Sequence, residues 1–231
     1  IISRVYFGNF PAFMVPDQSL VSFWEFPAFA LLGVVCALTA IIFLRSANIA
    51  TDFAAKVPVA PYVKTMVGGF CVGVIALVFP EVMGVGYEAT DKALNGKYEL
   101  AILIALVAAK VAATAISIGV GFGGGVFAPS MFMGAMVGGA FGIIATQVSP
   151  QLSSGHSAYT LVGLGAVSGA VLGAPISTIL IVFELTGDYA LTIAVMVAVV
   201  ISSVITQQAH RNSFFTWQLE RRGISIGGGR E

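Results

Sequence analysis

The chain has 231 residues, 58% of them hydrophobic and 10% charged, against the roughly 25% charge of soluble domains, so a soluble globular fold is excluded and a polytopic membrane protein is expected. Eleven basic and eleven acidic residues cancel to a net charge of zero, which leaves no basic surface for a nucleic acid and makes the lipid bilayer the expected partner. Cys36 and Cys71 lie in apolar stretches, where a thiol acts as a small hydrophobe, so neither a disulfide nor a metal site is expected.

In chain order, Ile1 to Phe7 reads as the tail of a helix, and Gly8 to Phe23, with Pro11, Pro16 and Asp17, as a loop. The chain opens without Met or a charged signal-peptide region, so sequence upstream is expected. Trp24 marks an interface, and Phe26 to Leu44 is uncharged and long enough to span a hydrocarbon core of ~30 Å. Arg45, Asp52 and Lys56 are expected to return the chain to water. Pro58 and Pro61 precede a second span, Tyr62 to Phe79, which carries Gly69-x-x-x-Gly73 and ends at Pro80. Glu81 to Glu99 is charged and glycine-containing, a solvent-side connection with a short helix around Ala89 to Leu94. Leu100 to Ile118 is the next span.

From Val111 to Phe183 there is no Asp, Glu, Lys or Arg, and inside this stretch lies Gly121-Phe-Gly-Gly-Gly-Val-Phe-Ala-Pro-Ser130. Ser130 to Gln147 follows as a helix with Gly134, Gly138 and Gly142 at the spacing that lets backbones touch. Ala158 to Val171 repeats the pattern with Gly165, Gly169 and Gly173, and Ala174-Pro175 then starts a new apolar run to Glu184. Each piece is shorter than the ~20 residues needed to span, so both are expected to turn back within the membrane. Tyr189 to Gln208 is a full span. Arg211, Arg221 and Arg222 around the last segment, Ser213 to Arg222, favour a cytoplasmic C-terminus, and Gly227 to Gly229 reads as a flexible linker.

Three meanings compete for the glycine run. Gly119, Gly121 and Gly124 fit the dinucleotide fingerprint, but that motif needs a preceding strand and an acidic residue ~20 positions on, and the next acid after Gly124 is Glu184; a P-loop fails for want of Gly-Lys-Ser/Thr. Close helix packing suits an isolated glycine, yet Gly121, Gly123, Gly124 and Gly125 together carry a helix penalty of about 1 kcal/mol each. The backbone is therefore expected to unwind there. Pro129 is tolerated only in a first turn, which places the start of the next helix near Val126 or Phe127. The free N–H groups of that turn and about +0.5 of an elementary charge make an anion site without a basic side chain. Partial charges permit both entry and exit, so the lack of Lys and Arg from Val111 to His210 fits a conduction pathway.

Gly125-Val-Phe-Ala-Pro129 resembles the G-x-F-x-P motif of the CLC chloride channels and chloride/proton exchangers. Ala174-Pro-Ile-Ser-Thr-Ile-Leu-Ile-Val-Phe-Glu-Leu-Thr-Gly-Asp-Tyr189 and Pro80-Glu-Val-Met-Gly-Val-Gly-Tyr87 resemble other segments of the family, and the likeness runs through the chain in order. The resemblance implies an all-α polytopic membrane protein of the CLC fold, with spanning, tilted and broken helices. It implies that residues 1–222 are the C-terminal portion of a bacterial-like membrane domain in an inner membrane. Residues 223–231 would begin a cytoplasmic linker, which in many members leads to CBS domains. The family's G-S-G-I-P and gating-glutamate motifs have no counterpart here.

Carried over by resemblance, the amides of Gly125, Val126, Phe127 and Ala128 form the anion site, with Gly123, Gly124, Pro129 and Pro175 as structural motif residues. Phe215 takes the place of a tyrosine that adds a hydroxyl to the central ion, so one donor is lost. Chloride is then the transported ligand, exchanged for protons, with no cofactor and a homodimer formed through the Pro175 to Glu184 helix and the following span. A passive voltage-gated channel and a non-transporting assembly fragment are the alternatives. An enzyme is not expected, since the apolar region offers no catalytic set. Lys110 and Glu184 flank the neutral stretch where charges are normally paired, so a contact between them competes with solvation at the membrane edge. His156, in a polar loop, is expected to be exposed and without a role, and Phe122 either packs or lines the pore.

Overall fold

A computed structural model describes residues 6, 25–148, 150, 154–210 and 213–221. The expected helix tail at Ile1 to Phe7 (apart from Tyr6), the loop at Gly8 to Phe23, Trp24, Arg211, Arg222 and the linker at 223–231 lie outside the described residues. What is described is helical, with no strand among the described residues. The order is α1 (Phe26–Lys56), α2 (Pro61–Val78), a 3-10 turn (Pro80–Val82), α3 (Tyr87–Leu94), α4 (Leu100–Gly119), α5 (Phe127–Val148), α6 (His156–Leu172), α7 (Pro175–Thr186), α8 (Tyr189–His210) and α9 (Phe214–Arg221).

Five helices, α1, α2, α4, α5 and α8, are long and apolar enough to cross a membrane, whereas α6 and α7 are short apolar helices of 17 and 12 residues. This is the pattern of spans and partial spans expected from the sequence. Helix α6 forms the centre. Every residue from Ala158 to Val171 is buried, and a helix apolar all round its circumference belongs inside a bundle. Helices α1, α5 and α8 pack around it, with α7 at its end. A single core cluster joins Phe29, Leu32 and Phe43 of α1 to Phe132 and Met136 of α5, Tyr159 and Leu161 of α6, and Val195 and Val199 of α8.

The α5–α6 contact brings backbone against backbone. A Cβ on Gly134 would stand 2.8 Å from the Leu164 Cα, one on Gly138 2.9 Å from the Thr160 Cα, and one on Gly163 2.7 Å from the Gly138 Cα. With lipid on the outside there is little hydrophobic drive, so the dispersion gained by backbone-to-backbone contact holds this pair together. Polar ties fix α6 to its other neighbours: Ser157 Oγ donates to the Leu94 carbonyl of α3 at 2.6 Å, and Ser202 Oγ of α8 to the Ala166 carbonyl at 2.7 Å. His156 is the first residue of α6 and only half-buried, with its ring 3.3 Å from where a Cβ on Gly139 would be, so it fills a glycine gap instead of standing in a loop.

Helix α1 departs from expectation. It runs 31 residues to Lys56 and does not end at Leu44. Charge does not stop a helix, whereas Pro58 does, and Ala47, Ala50, Ala54 and Ala55 favour the helical state through the last three turns. That extension is held by neighbours: Asn48 Nδ2 lies 3.0 Å from His210 Nε2, and Asp52 accepts a 2.7 Å bond from Arg221 Nη1.

Candidate functional site: the loop between α4 and α5

The last turn of α4 is anchored by Gly119, which packs so closely on the backbone of Ala50 that a Cβ would stand only 2.8 Å from its carbonyl. The helix then closes with two capping bonds, Gly121 N–H to Ile118 O at 3.1 Å and Phe122 N–H to Ser117 O at 3.0 Å. This paired arrangement needs a left-handed residue, and Gly121 supplies it at φ 87°. Beyond it, residues 122–125 have no regular structure.

Helix α5 begins at Phe127, and the first bond across its start is Ser130 N–H to Val126 O at 3.1 Å. Ser130 Oγ turns back to the Phe127 carbonyl at 2.7 Å. Pro129 is the third helical residue and is buried, so its missing N–H falls where an intrahelical partner would be absent anyway. Val126 is 1% exposed and belongs to the core cluster, which pins the end of the loop to the protein. Phe127 and Phe122, 36% and 44% exposed, face outwards.

The N–H groups of Gly123, Gly124, Gly125, Val126, Phe127 and Ala128 therefore have no backbone acceptor among the described residues. Nor does packing explain the three middle glycines. A Cβ on Gly123, Gly124 or Gly125 would meet nothing within 4 Å, and none of the three has positive φ. Neither backbone conformation nor crowding within the described residues requires glycine there. What glycine does provide is open access to the main-chain donors. Successive unpaired amides at the positive end of a 22-residue helix are donors of the kind an anion can use. Among the described residues no group of three His, Cys, Asp or Glu side chains could hold a metal ion.

The structure brings Gly123, Gly124, Gly125, Val126, Phe127, Ala128 and Pro129 together as one segment and opens α7 at Pro175. Phe215 stands apart. It is 49% exposed on α9, its ring packs edge-on against Phe214 at 5.8 Å, and no ring contact joins it to Phe122 or Phe127 among the described residues. Helix α9 rests on α6, where Ser213 touches Gly173 in the corner before α7.

The pairing of Lys110 with Glu184 is not formed. Lys110 is 4% exposed and its Nζ donates to the carbonyls of Val82 at 2.7 Å and Gly84 at 3.0 Å, while lying 4.9 Å over the Phe132 ring. Glu184 is exposed at the end of α7. The physical reason is the break at Pro80: the chain from Pro80 to Gly86 leaves α-helical geometry, so its carbonyls need donors, and a buried ammonium is a good one. Charge matching along the sequence misses such a partner, though Pro80, Gly84 and Gly86 signalled the loose carbonyls. Sequence reasoning also passed over Glu25. It is 3% exposed at the start of α1, and its carboxylate accepts bonds from the amide and hydroxyl of Ser154, clamping the α5–α6 connection to α1.

These features define a polytopic α-helical membrane protein in which spanning and partial helices surround a central short helix, and a glycine loop presents unused amides at a helix start. Residues 1–207 match the family described as voltage gated chloride channel, and the chain belongs to that family. It is 34% identical over 226 residues to the chloride channel protein CLC-e of Arabidopsis thaliana, covering 89% of this chain and 32% of that protein. It is 31% identical over 202 residues to the H(+)/Cl(-) exchange transporter ClcA of Vibrio cholerae, covering 85% of this chain and 43% of that one. The fold is shared with the crystal structure of a slow cyanobacterial Cl-/H+ antiporter, at a TM-score of 0.85 and 23% identity over 96% of this chain and 52% of that one. The chain thus spans about a third to a half of the proteins it matches.

Proposed function

We propose that the protein of which this chain is part moves chloride across a membrane in exchange for protons, and that the amides of Gly125, Val126, Phe127 and Ala128 hold the ion on its way. The observation that carries this reading is the run of unpartnered N–H groups from Gly123 to Ala128 at the start of α5. Exchange is favoured over passive conduction by the Vibrio relative, an H(+)/Cl(-) exchange transporter by name. Phe215 adds no hydroxyl to the ion and shapes the inner mouth. Helices α7 and α8 supply the homodimer surface. The C-terminus is cytoplasmic: Arg45, Lys56, Lys64 and Arg221 sit towards the end where α1 gives way to α2, while the connection at the opposite end carries Glu81, Glu88, Asp91 and Glu99 against Lys92 and Lys97.

The test removes a donor without removing a side chain's charge. Proline is accepted at a first helical position, so Phe127→Pro deletes one amide while α5 still starts in place. A bond to a charged group contributes about 1.5–3 kcal/mol, so chloride binding to the full-length protein, measured by calorimetry, is expected to weaken about tenfold or more. Chloride and proton fluxes from liposomes are expected to fall together. Unchanged affinity would remove these amides from the site, and chloride flux without proton movement would replace exchange by passive conduction.

A further inference from the structure

Away from the glycine loop, the ends of α1, α2 and α4 enclose a groove of about 370 Å³. Its walls are apolar: Phe53 and Val57 of the α1 end and its cap, Val63, Val67 and Cys71 of α2, and Ile116 of α4. These helices are long and apolar enough to cross a membrane, so an apolar groove on them can take a lipid tail. Two features narrow the kind of lipid. Lys64 lines the groove with its methylenes, and its Nζ is tied by one 2.7 Å bond to the Ala54 carbonyl, leaving two of three N–H donors for a further acceptor. Lys56 is exposed in the last turn of α1, and the nearest acid along that helix, Asp52, is engaged by Arg221. The groove mouth thus has positive charge without a free carboxylate of α1 or α2 to oppose it.

We propose that this groove binds an anionic phospholipid, with an acyl chain lying against Phe53, Val63, Val67 and Ile116 and the phosphate on Lys64. An apolar slot ending in a held ammonium complements such a molecule, and a zwitterionic lipid carries a choline that the same lysines repel. The floor of the groove is formed by Gly119 and Val120, the residues immediately before the left-handed turn at Gly121. A seated chain therefore braces the end of α4 from which the glycine loop hangs. This site is separate from the proposed anion site, and its test reads lipid, not transport.

The full-length protein, delipidated in detergent, is titrated with phosphatidylglycerol or with phosphatidylcholine of the same chains, and binding is followed by native mass spectrometry and by thermal stabilisation. Phosphatidylglycerol is expected to bind about fivefold more tightly. Lys64→Gln is expected to abolish that preference and Lys64→Arg to keep it. Cys71→Trp, which fills the groove from an exposed position, is expected to weaken both lipids. Equal binding of the two lipids by the unsubstituted protein overturns the proposal, as does a preference that survives Lys64→Gln. It is also overturned if a photo-reactive maleimide on Cys71 crosslinks to another segment of the protein, since the groove is then filled by protein; Cys36, fully buried, does not compete for the reagent.

Discussion

The α5–α6 seam and the loop before α5 are both built on glycine, and they use it in opposite ways. In the seam, glycine is required by what lies opposite: Gly134, Gly138 and Gly163 face backbone atoms closer than any Cβ tolerates. In the loop, Gly123, Gly124 and Gly125 face nothing within 4 Å and hold ordinary φ values. The seam spends its glycines on packing, which a mutation tests through stability. The loop leaves its donors uncovered, which a mutation tests through the ion. Gly121 stands between the two classes, required by its positive φ and not by a neighbour.

The largest expected effect breaks the seam. Gly138→Val drives two methyl groups into the Tyr159 and Thr160 backbone, an overpacking of about 3 kcal/mol or more, and should abolish a monodisperse elution profile of the full-length protein in detergent. Next comes loss of a buried tie: Lys110→Met leaves the Val82 and Gly84 carbonyls without their donor, at about 1–3 kcal/mol per unsatisfied group, and should lower the unfolding midpoint without changing chloride affinity. Gly124→Ala sharpens the contrast. The added methyl has room and an allowed φ, so the midpoint should stay within the ordinary surface range of about 0.5 kcal/mol while chloride flux falls. A midpoint that drops as far as that of the seam variant would make the loop a packing element after all.

Phe215→Tyr is a smaller gain-of-contact experiment: a hydroxyl that reaches the ion should tighten chloride binding, and unchanged or looser binding would leave Phe215 without a place at the ion. The smallest effect is expected at Glu88 and Lys92, a 2.8 Å pair on the exposed face of α3. The hydrogen bond and charge of Lys92 hold the Glu88 carboxyl below its usual range, so its contribution is present above the ordinary carboxylate pKa and is lost as pH falls through the lowered value. Solvent screens an exposed pair, and Glu88→Gln should leave the unfolding midpoint unchanged at neutral pH within measurement.

Much of this contrast was legible in the sequence because it is written in local rules. Clustered glycines oppose a helix, Pro129 marks a first turn, and the expected start near Val126 or Phe127 is met at Phe127. The short lengths of α6 and α7 followed from the break at Ala174-Pro175 in the same way. What the sequence concealed depends on partners far along the chain. Arg45 and Asp52 looked like the end of a span, but Asp52 is held by Arg221, 169 residues away, and the helix continues beneath both. Lys110, at the edge of the neutral stretch, looked like a partner of Glu184 or a solvated charge because its partners are carbonyls, which every residue has and no composition reveals. His156 looked like loop, yet it fills the space that Gly139 and Gly142 leave on α5.

The donors from Gly123 to Ala128 are all main-chain amides, and this has a consequence for acidity. A lysine or histidine at the same place would gain or lose its charge with the surrounding proton concentration, and its grip on an ion would follow. Peptide N–H groups do not ionise in the range where side chains do, so the loop presents the same partial charge to an acidic and an alkaline solution. Any proton sensitivity of the proposed ion site would have to be supplied by side chains elsewhere in the protein.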